Sequence, residues 1–340
     1  LPRTANSQPN IPTPEMILRG HLRPVNLRTD LAPLADLIEL VFAPTMDDNG
    51  RAAIRDMRSM SRLGVGSTLL GRLNELAQGI SMGFVWVEDG RLVGNVSLYP
   101  AHWPRSAGRA WIIANVAVHP DYQRRGIARQ LLQHSLETIR ERKGTDAILQ
   151  VDYDNARAIH IYDQLGFVRE RAWTTWGRAS LVSTPPLVQY DDLYITRRRP
   201  SEWRAEYELA KQARPQEKGG IGWLKPLDKS LFHKPWWQQI PYWFVTGGME
   251  RLIVRADRQL VGTLWIESGL AALRSRMTLM TNPEHQPRAA EALLNNVVRR
   301  YRNTALILEH PYDDTVTTQI LDQYRFRPNR TVWHMRMHLG

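Results

Sequence analysis

Apolar positions along the chain recur with two periods. Helical spacing marks Leu31–Phe42, Arg51–Arg62, Ile127–Arg142 and Ala156–Leu165. Shorter apolar runs mark strands at Met16–Arg23, Phe84–Val87, Leu92–Tyr99, Ala110–Val118, Ala147–Val151 and Phe167–Trp176. Asp30 stands where an N-cap is expected before the first helix. The turn Glu88-Asp89-Gly90 between two apolar runs predicts a β-hairpin. A sheet interleaved with helices predicts an α/β (α+β) sandwich rather than a helix bundle.

The pattern occurs twice. Arg91-Leu92-Val93-Gly94-Asn95-Val96 returns as Gln259-Leu260-Val261-Gly262-Thr263-Leu264, and His119-Pro120-Asp121-Tyr122-Gln123 as Asn282-Pro283-Glu284-His285-Gln286. Tyr153–Phe167 then aligns without gaps on Tyr312–Phe326. Three blocks in one order are not chance, and they predict two homologous lobes, each a mixed central sheet flanked by helices. The turn-prone stretch Ser183-Thr184-Pro185-Pro186 separates them. The expected division is a loose arm at 1–14, a first lobe at 15–182 and a second at 187–340.

Chemistry concentrates between Val118 and Ala128. Pro120 ends a buried strand, and the chain turns onto a helix whose first amide donors have no intrahelical partner. Gly126 lets the backbone approach a ligand without Cβ interference, and Arg124 and Arg125 add positive charge beside it. Oriented N–H groups, a helix start and cations together suit a pyrophosphate. Taken alone, Gln-x-x-Gly-x-Ala is also the spacing of a plain strand-to-helix turn with solvated arginines.

About thirty residues on, the chain reads Asn155-x-x-Ala158-x-x-x-Tyr162-x-x-x-Gly166-Phe167. With the loop Gln123–Ala128, this resembles the GNAT superfamily of N-acyltransferases over about residues 15–180. The resemblance implies an acyl-CoA, usually acetyl-CoA, with its pyrophosphate on Gln123, Arg124, Arg125, Gly126, Ile127 and Ala128. It implies that backbone groups of Val116 and Val118 pair with pantetheine amides as an added strand does, and that Asn155 holds the cofactor arm. Tyr162, two helical turns beyond Asn155, becomes the proton donor to the departing thiolate.

A general base is harder to find. Many relatives carry a carboxylate on the strand before the pyrophosphate loop, where this chain has Ala114 and Asn115. Asp152 at the end of the next strand is the first substitute, with Glu88 and, through water, His119 behind it. Direct attack in a ternary complex gains mainly from positioning and does not demand a strong base.

The second copy lacks these groups. Arg124-Arg125-Gly126 becomes Pro287-Arg288-Ala289, Asn155 becomes Asp314, Tyr162 becomes Leu321 and Gly166 becomes Arg325. The second lobe is therefore expected to keep the fold for packing and for shaping a substrate cleft. The pairing of lobes imitates a homodimer within one chain and so suits a monomer. An aromatic, proline-rich insertion around Trp223, Pro226, Pro235, Trp236, Trp237, Pro241, Tyr242 and Trp243 is expected to seal an interface between lobes or to wall a pocket.

Composition narrows the classes. The 340 residues carry 45 Lys+Arg against 34 Asp+Glu, a net charge of +11, but the arginines are scattered. That favours an anionic cofactor or substrate over nucleic acid, whose binders concentrate charge. Zero Cys excludes disulfides, thiolate metal sites and a cysteine nucleophile, and no His/Asp/Glu cluster has ligand spacing, so no metal is expected. No apolar run reaches the ~20 residues of a membrane span, and the first residues lack a signal-peptide core, so a cytoplasmic protein is expected. Opening at Leu1 rather than Met, the sequence reads as a fragment or processed chain. The sequence, read with this resemblance, thus points to transfer of an acetyl or other short acyl group from acyl-CoA onto the primary amine of a small molecule or peptide, with no metal. The alternative is an inactive CoA-binding or scaffold protein.

Overall fold

A computed structural model describes residues 20–44, 46, 48–63, 82–233, 248–268 and 274–340. Contacts group them into two units. One holds the chain up to Tyr99 together with Ile113–Glu137, and the other holds Pro100–Ile112 with Thr138–Gly340.

In the first unit, β1 (His21–Pro24) pairs antiparallel with β2 (Phe84–Glu88), and β2 with β3 (Arg91–Pro100). The turn between them places Asp89 (φ 49°) and Gly90 (φ 74°) in the left-handed region, the geometry that matches the twist of a two-residue hairpin. Helices α1 (Leu31–Phe42) and α2 (Asp48–Leu63) bury Leu31, Leu34, Ala35, Ile38, Ile54 and Met57 with Val85 of β2. Asp30 does stand at the N-cap of α1, but its side chain does not cap the helix. Its carboxylate instead takes two hydrogen bonds from Arg23, at 2.6 and 2.9 Å, and one from the Asn26 amide. A guanidinium within reach outcompetes a backbone amide for a buried carboxylate. Strand β4 (Ala110–Val118) gives its last six residues to this unit, as does most of α3 (Ile127–Glu141). The expected strand from Met16 lies partly outside the described residues.

The second unit contains β5 (Asp146–Asp152), α4 (Ala156–Leu165) and β6 (Val168–Arg178) from the first half of the repeat. From the second half come β7 (Leu193–Arg197), α5 (Trp203–Ala213), β8 (Met249–Ala256), β9 (Gln259–Ser268) and β10 (Arg274–Thr281). They are followed by α6 (Gln286–Arg300), β11 (Ala305–Pro311), α7 (Thr315–Gln323) and β12 (Arg327–His338). The order β4–β5–β12–β6–β11–β10–β9–β8–β7 shows that the halves exchange their last strands. β12 pairs with β5 through Val332↔Asp152 to His338↔Asp146, and β6 pairs with β11 through Trp173↔Pro311 to Arg178↔Leu306. These registers are the same once Tyr153 is laid on Tyr312, so the gapless sequence block is realised as a pseudo-two-fold exchange. The exchange also explains why β6 runs past Trp176: Gly177 and Arg178 have partners in Ile307 and Leu306.

Two apolar clusters among the described residues lie in the second half of the repeat. The larger joins Leu252, Leu264, Met277, Leu293, Val297, Leu306 and Phe326, and a second gathers Phe232, Trp265 and Met280 beneath α5. Many arginines are spread in ion pairs, among them Arg198 and Arg251 on the fully buried Glu206 and Arg336 on Asp146. Among the described residues, no helix is long and apolar enough to cross a membrane.

Candidate active site

The strand that leads into the loop at residues 119–126 is kinked in its middle. Asn115 adopts φ 51° inside β4, a conformation that Asn tolerates better than a β-branched residue. Two side chains pin it: Asn95 Nδ2 donates to the Asn115 carbonyl at 2.9 Å, and Asn115 Nδ2 donates to Ser97 Oγ at 3.2 Å. Val116 and Val118 follow this kink. The His119 amide then donates to the Val93 carbonyl at 2.8 Å, and Gln123 Nε2 donates to the Val118 carbonyl at 3.2 Å.

Beyond a 3-10 turn at Pro120–Tyr122, the chain does not enter the helix at once. Arg124 (φ 61°) and Gly126 (φ 80°) both lie in the left-handed region, and α3 starts only at Ile127, which is buried. Residues 123–126 are exposed. A Cβ built on Gly126 meets nothing within 4 Å, so no protein neighbour demands glycine there. The demand comes from the backbone angle, and the open space above it suits a ligand. Alternating handedness turns successive N–H groups inward, the concavity that binds anions. Arg125 is held in place: it donates to Glu88 Oε1 and to the Asp121 carbonyl, both at 3.1 Å, and lies over the Tyr122 ring. Arg124 has no hydrogen-bond or ion-pair partner among the described residues, which leaves its charge available. These features fit a diphosphate.

The second unit carries the other predicted residues. Asn155 caps α4, its Oδ1 accepting from the Ala158 amide at 3.1 Å, which leaves its amide donors exposed. Tyr162 is buried at 7% exposure, packed edge-on against Phe167. Burial pushes its hydroxyl pKa well above the usual tyrosine value. That hydroxyl makes no hydrogen bond among the described residues, so it is a proton holder that stays neutral and lacks a partner. Gly166 ends α4 with φ 96°, its amide and that of Phe167 returning to Asp163 and Tyr162 carbonyls. Its role is the left-handed helix end, and Arg325 repeats it at φ 63° in the second half. The change from Gly166 to Arg325 therefore does not remove a chemical group, contrary to the sequence-based reading.

The candidate bases are engaged. Asp152 accepts from Arg330 Nε of β12 at 2.6 Å, Glu88 is buried on Arg125, and His119 Nδ1 accepts from the Asp121 amide at 3.3 Å. The Arg330 contact spans 178 residues, and only the strand exchange creates it. Sequence reasoning also missed the Asn115 kink, although a polar residue in the middle of an apolar strand was its signal. Of the aromatic insertion, Trp223 packs on His334 at 4.9 Å between ring centres and lines a small cavity with Trp103, Glu170 and Arg336. Residues 235–237 and 241–243 lie outside the described residues.

Comparison with known proteins agrees with this geometry. The model of the acetyltransferase (GNAT) family matches residues 51–167. The chain is 45% identical over 53 residues to [Ribosomal protein bS18]-alanine N-acetyltransferase of Escherichia coli (strain K12), covering 16% of this chain and 36% of that protein. It is 35% identical over 104 residues to mycothiol acetyltransferase of Rhodococcus opacus (strain B4), covering 30% of this chain and 33% of that protein. The matches thus span about a third of each relative's length. A tandem GNAT protein from the clavulanic acid biosynthesis pathway superposes with TM-score 0.51 at 16% identity, over 94% of this chain and 99% of that one. The fold is that of a tandem protein of this kind, and residues 51–167 are similar to the acetyltransferase (GNAT) family.

Proposed function

We propose that the first half of the repeat transfers an acetyl group from acetyl-CoA to a primary amine, by direct attack while both substrates are bound. The observation that carries this reading is the loop Gln123–Ala128, with its two left-handed residues, its unpartnered Arg124 and the open space over Gly126. Bound acetyl-CoA supplies the acetyl group as a thioester. The amides of residues 124–128 and the Arg124 and Arg125 guanidinia hold its diphosphate, and backbone groups of Val116 and Val118 pair with its pantetheine. Gln123 anchors the loop through the Val118 carbonyl and so fixes the cradle before any ligand arrives. Asn155 donates its free amide to the cofactor arm.

Tyr162 is neutral at physiological pH, burial makes it a still weaker acid, and it gives its proton to the departing sulfur only as thiolate charge develops beside it. Asp152, tied to Arg330, is a weaker candidate for removing the amine proton than an unpaired carboxylate. The acceptor amine is then best presented already neutral, and turnover should rise with pH through the amine's own pKa. The two named relatives act, by their names, on a ribosomal-protein alanine and on mycothiol chemistry, so protein and small-molecule amines both belong in the test.

The test is thiol release from acetyl-CoA over a panel of amines. Gly126→Glu puts a carboxylate in the cradle at a left-handed position, and should cut kcat/KM for acetyl-CoA by about 10²-fold or more. Tyr162→Phe should cut kcat by about 10²-fold with KM for acetyl-CoA little changed. Full activity in Gly126→Glu would remove the loop from cofactor binding. Full activity in Tyr162→Phe would remove its proton from the reaction.

A further inference from the structure

The second half of the repeat has the same framework as the first. The Asn282 amide donates to the Val261 carbonyl at 2.8 Å, as His119 does to Val93, and Asp314 caps α7 as Asn155 caps α4. Leu279 stands three residues before Asn282, as Val116 does before His119. His310 stands four residues before Asp314, as Val151 does before Asn155. The parallel pairing of β10 with β11 ends at Met277↔Leu308, so Leu279 and His310 both lie past the last paired residues.

A side chain fills the space beyond. Arg214, the residue that ends α5, is fully enclosed, and its Nη2 donates both to the Leu279 carbonyl at 2.9 Å and to His310 Nδ1 at 3.1 Å. On its other side, His310 Nε2 donates to Asp314 Oδ2 at 2.8 Å. The remaining oxygen of Asp314 accepts from the Thr317 amide at 3.1 Å and from Gln286 Nε2, at the start of α6. The next basic group is also taken. Arg288, at the place of Arg125, pairs with Asp192 and lies over the Tyr190 ring, so the linker after β6 covers the start of α6.

We infer that the second copy is self-liganded: the Arg214 guanidinium, the His310 imidazole and the Asp314 carboxylate occupy its cofactor groove from inside. This rests on the cofactor reading of the first half for what the groove once held, but the internal relay itself stands on its own contacts. The carboxylate lies at two helix starts, where a phosphate belongs. The guanidinium takes the strand carbonyl equivalent to that of Val116. Among the described residues Arg214 is a buried cation with no carboxylate in direct contact; it lies over the Trp173 ring, and its charge is linked to Asp314 only through the imidazole. The second copy is then a permanently filled domain that holds the exchanged strand β6 rather than a second active site.

Two measurements on the full chain test this. Calorimetric titration with coenzyme A should give one equivalent for the wild type and none for Gly126→Glu, and an equivalent surviving in Gly126→Glu would overturn the inference. Absence of binding in the wild type would instead sink the cofactor reading, and the relay is then judged by melting alone. Arg214→Ala and Asp314→Asn should each lower Tm by about 5 °C, and the double variant should fall by clearly less than the sum because one relay is lost twice. Additive or absent shifts overturn the relay. If Arg214→Ala does not fold, Arg214→Lys, which keeps the cation but not the fork, replaces it in the same cycle.

Discussion

The two turns that lead into α3 and α6 start alike and end differently. Each opens with a proline in a 3-10 turn whose preceding side chain accepts from the amide two residues on: His119 from Asp121, Asn282 from Glu284. After that point the first turn takes two left-handed steps and delays its helix to Ile127, while the second enters α6 directly at Gln286. Pro287 fits the first helical turn, where an amide is not needed, and Ala289, at the place of Gly126, is fully buried inside the helix. Two changes, Arg124 to Pro287 and Gly126 to Ala289, thus separate an exposed loop with left-handed steps from an ordinary first turn of helix. If the first copy binds acetyl-CoA as proposed, what sets it apart from the second is backbone handedness at two residues, more than overall charge.

The strongest way to break that comparison is to write the second loop into the first. Arg124→Pro combined with Gly126→Ala removes one amide donor, removes one cation and favours helix over the left-handed steps. Thiol release from acetyl-CoA should fall by about 10²-fold or more, while the far-ultraviolet spectrum and Tm stay near those of the parent. Retained turnover with intact fold would mean that handedness at these positions is not what makes the cradle.

A smaller effect sharpens the other side. Burial, reinforced by the Arg214 charge, pushes the pKa of His310 down to about 4 against the pull of Asp314, with Arg171 adding to the downward shift. Burial also brings Arg214 down to about 9, which leaves it charged at neutral pH. The pKa of His310 is lower in the folded chain than the ~6.5 of an unfolded chain. Its contribution is therefore complete above pH 6.5 and is lost as pH falls toward 4. Asp314 is held well below the usual carboxylate range by His310 and Thr317 despite its burial, so its own contribution fades only below about pH 4. Tm should drop by several degrees between pH 6.5 and 4, and His310→Gln should flatten that slope. A slope unchanged in His310→Gln assigns it to other groups.

Much of this was legible in the sequence because it is local. Hydrophobic period placed β4, α1 and α4 at their observed ends, and the Gln123–Ala128 and Asn155–Phe167 motifs pointed to the loop and cap that the structure contains. What stayed hidden depends on partners far along the chain. The Arg330–Asp152 pair and the extension of β6 arise only from the strand exchange, and Arg214 enters its groove from an element that the repeat alignment did not include. The side chain of Asp30 left its cap because Arg23 came within reach, a competition that a single sequence does not display.

Gly166 and Arg325 give the finest test, because they share a left-handed helix end and differ only in side chain. Both close the same hydrogen bonds, with the amides of Phe167 and Phe326 returning to the carbonyls of Tyr162 and Leu321 at 3.0 and 2.9 Å. Arg325 is exposed and forms no ion pair among the described residues, so its side chain offsets little of the ~1 kcal/mol that a left-handed non-glycine residue costs. Glycine relieves that strain but gains freedom in the unfolded chain, a loss of about 0.4–1 kcal/mol. Arg325→Gly should therefore raise stability by at most about 0.5 kcal/mol, a shift of Tm near 1 °C. Gly166→Ala should lower stability by about 0.5 kcal/mol, strain of ~1 kcal/mol partly offset by the reduced freedom of the unfolded chain, since its new Cβ meets only Met337 Cε at an ordinary 3.5 Å. Opposite signs at the two positions would show that the second copy tolerates a strained cap that the first avoids. A destabilised Arg325→Gly would instead mean that the arginine contributes a contact of its own, and that the two helix ends are not equivalent.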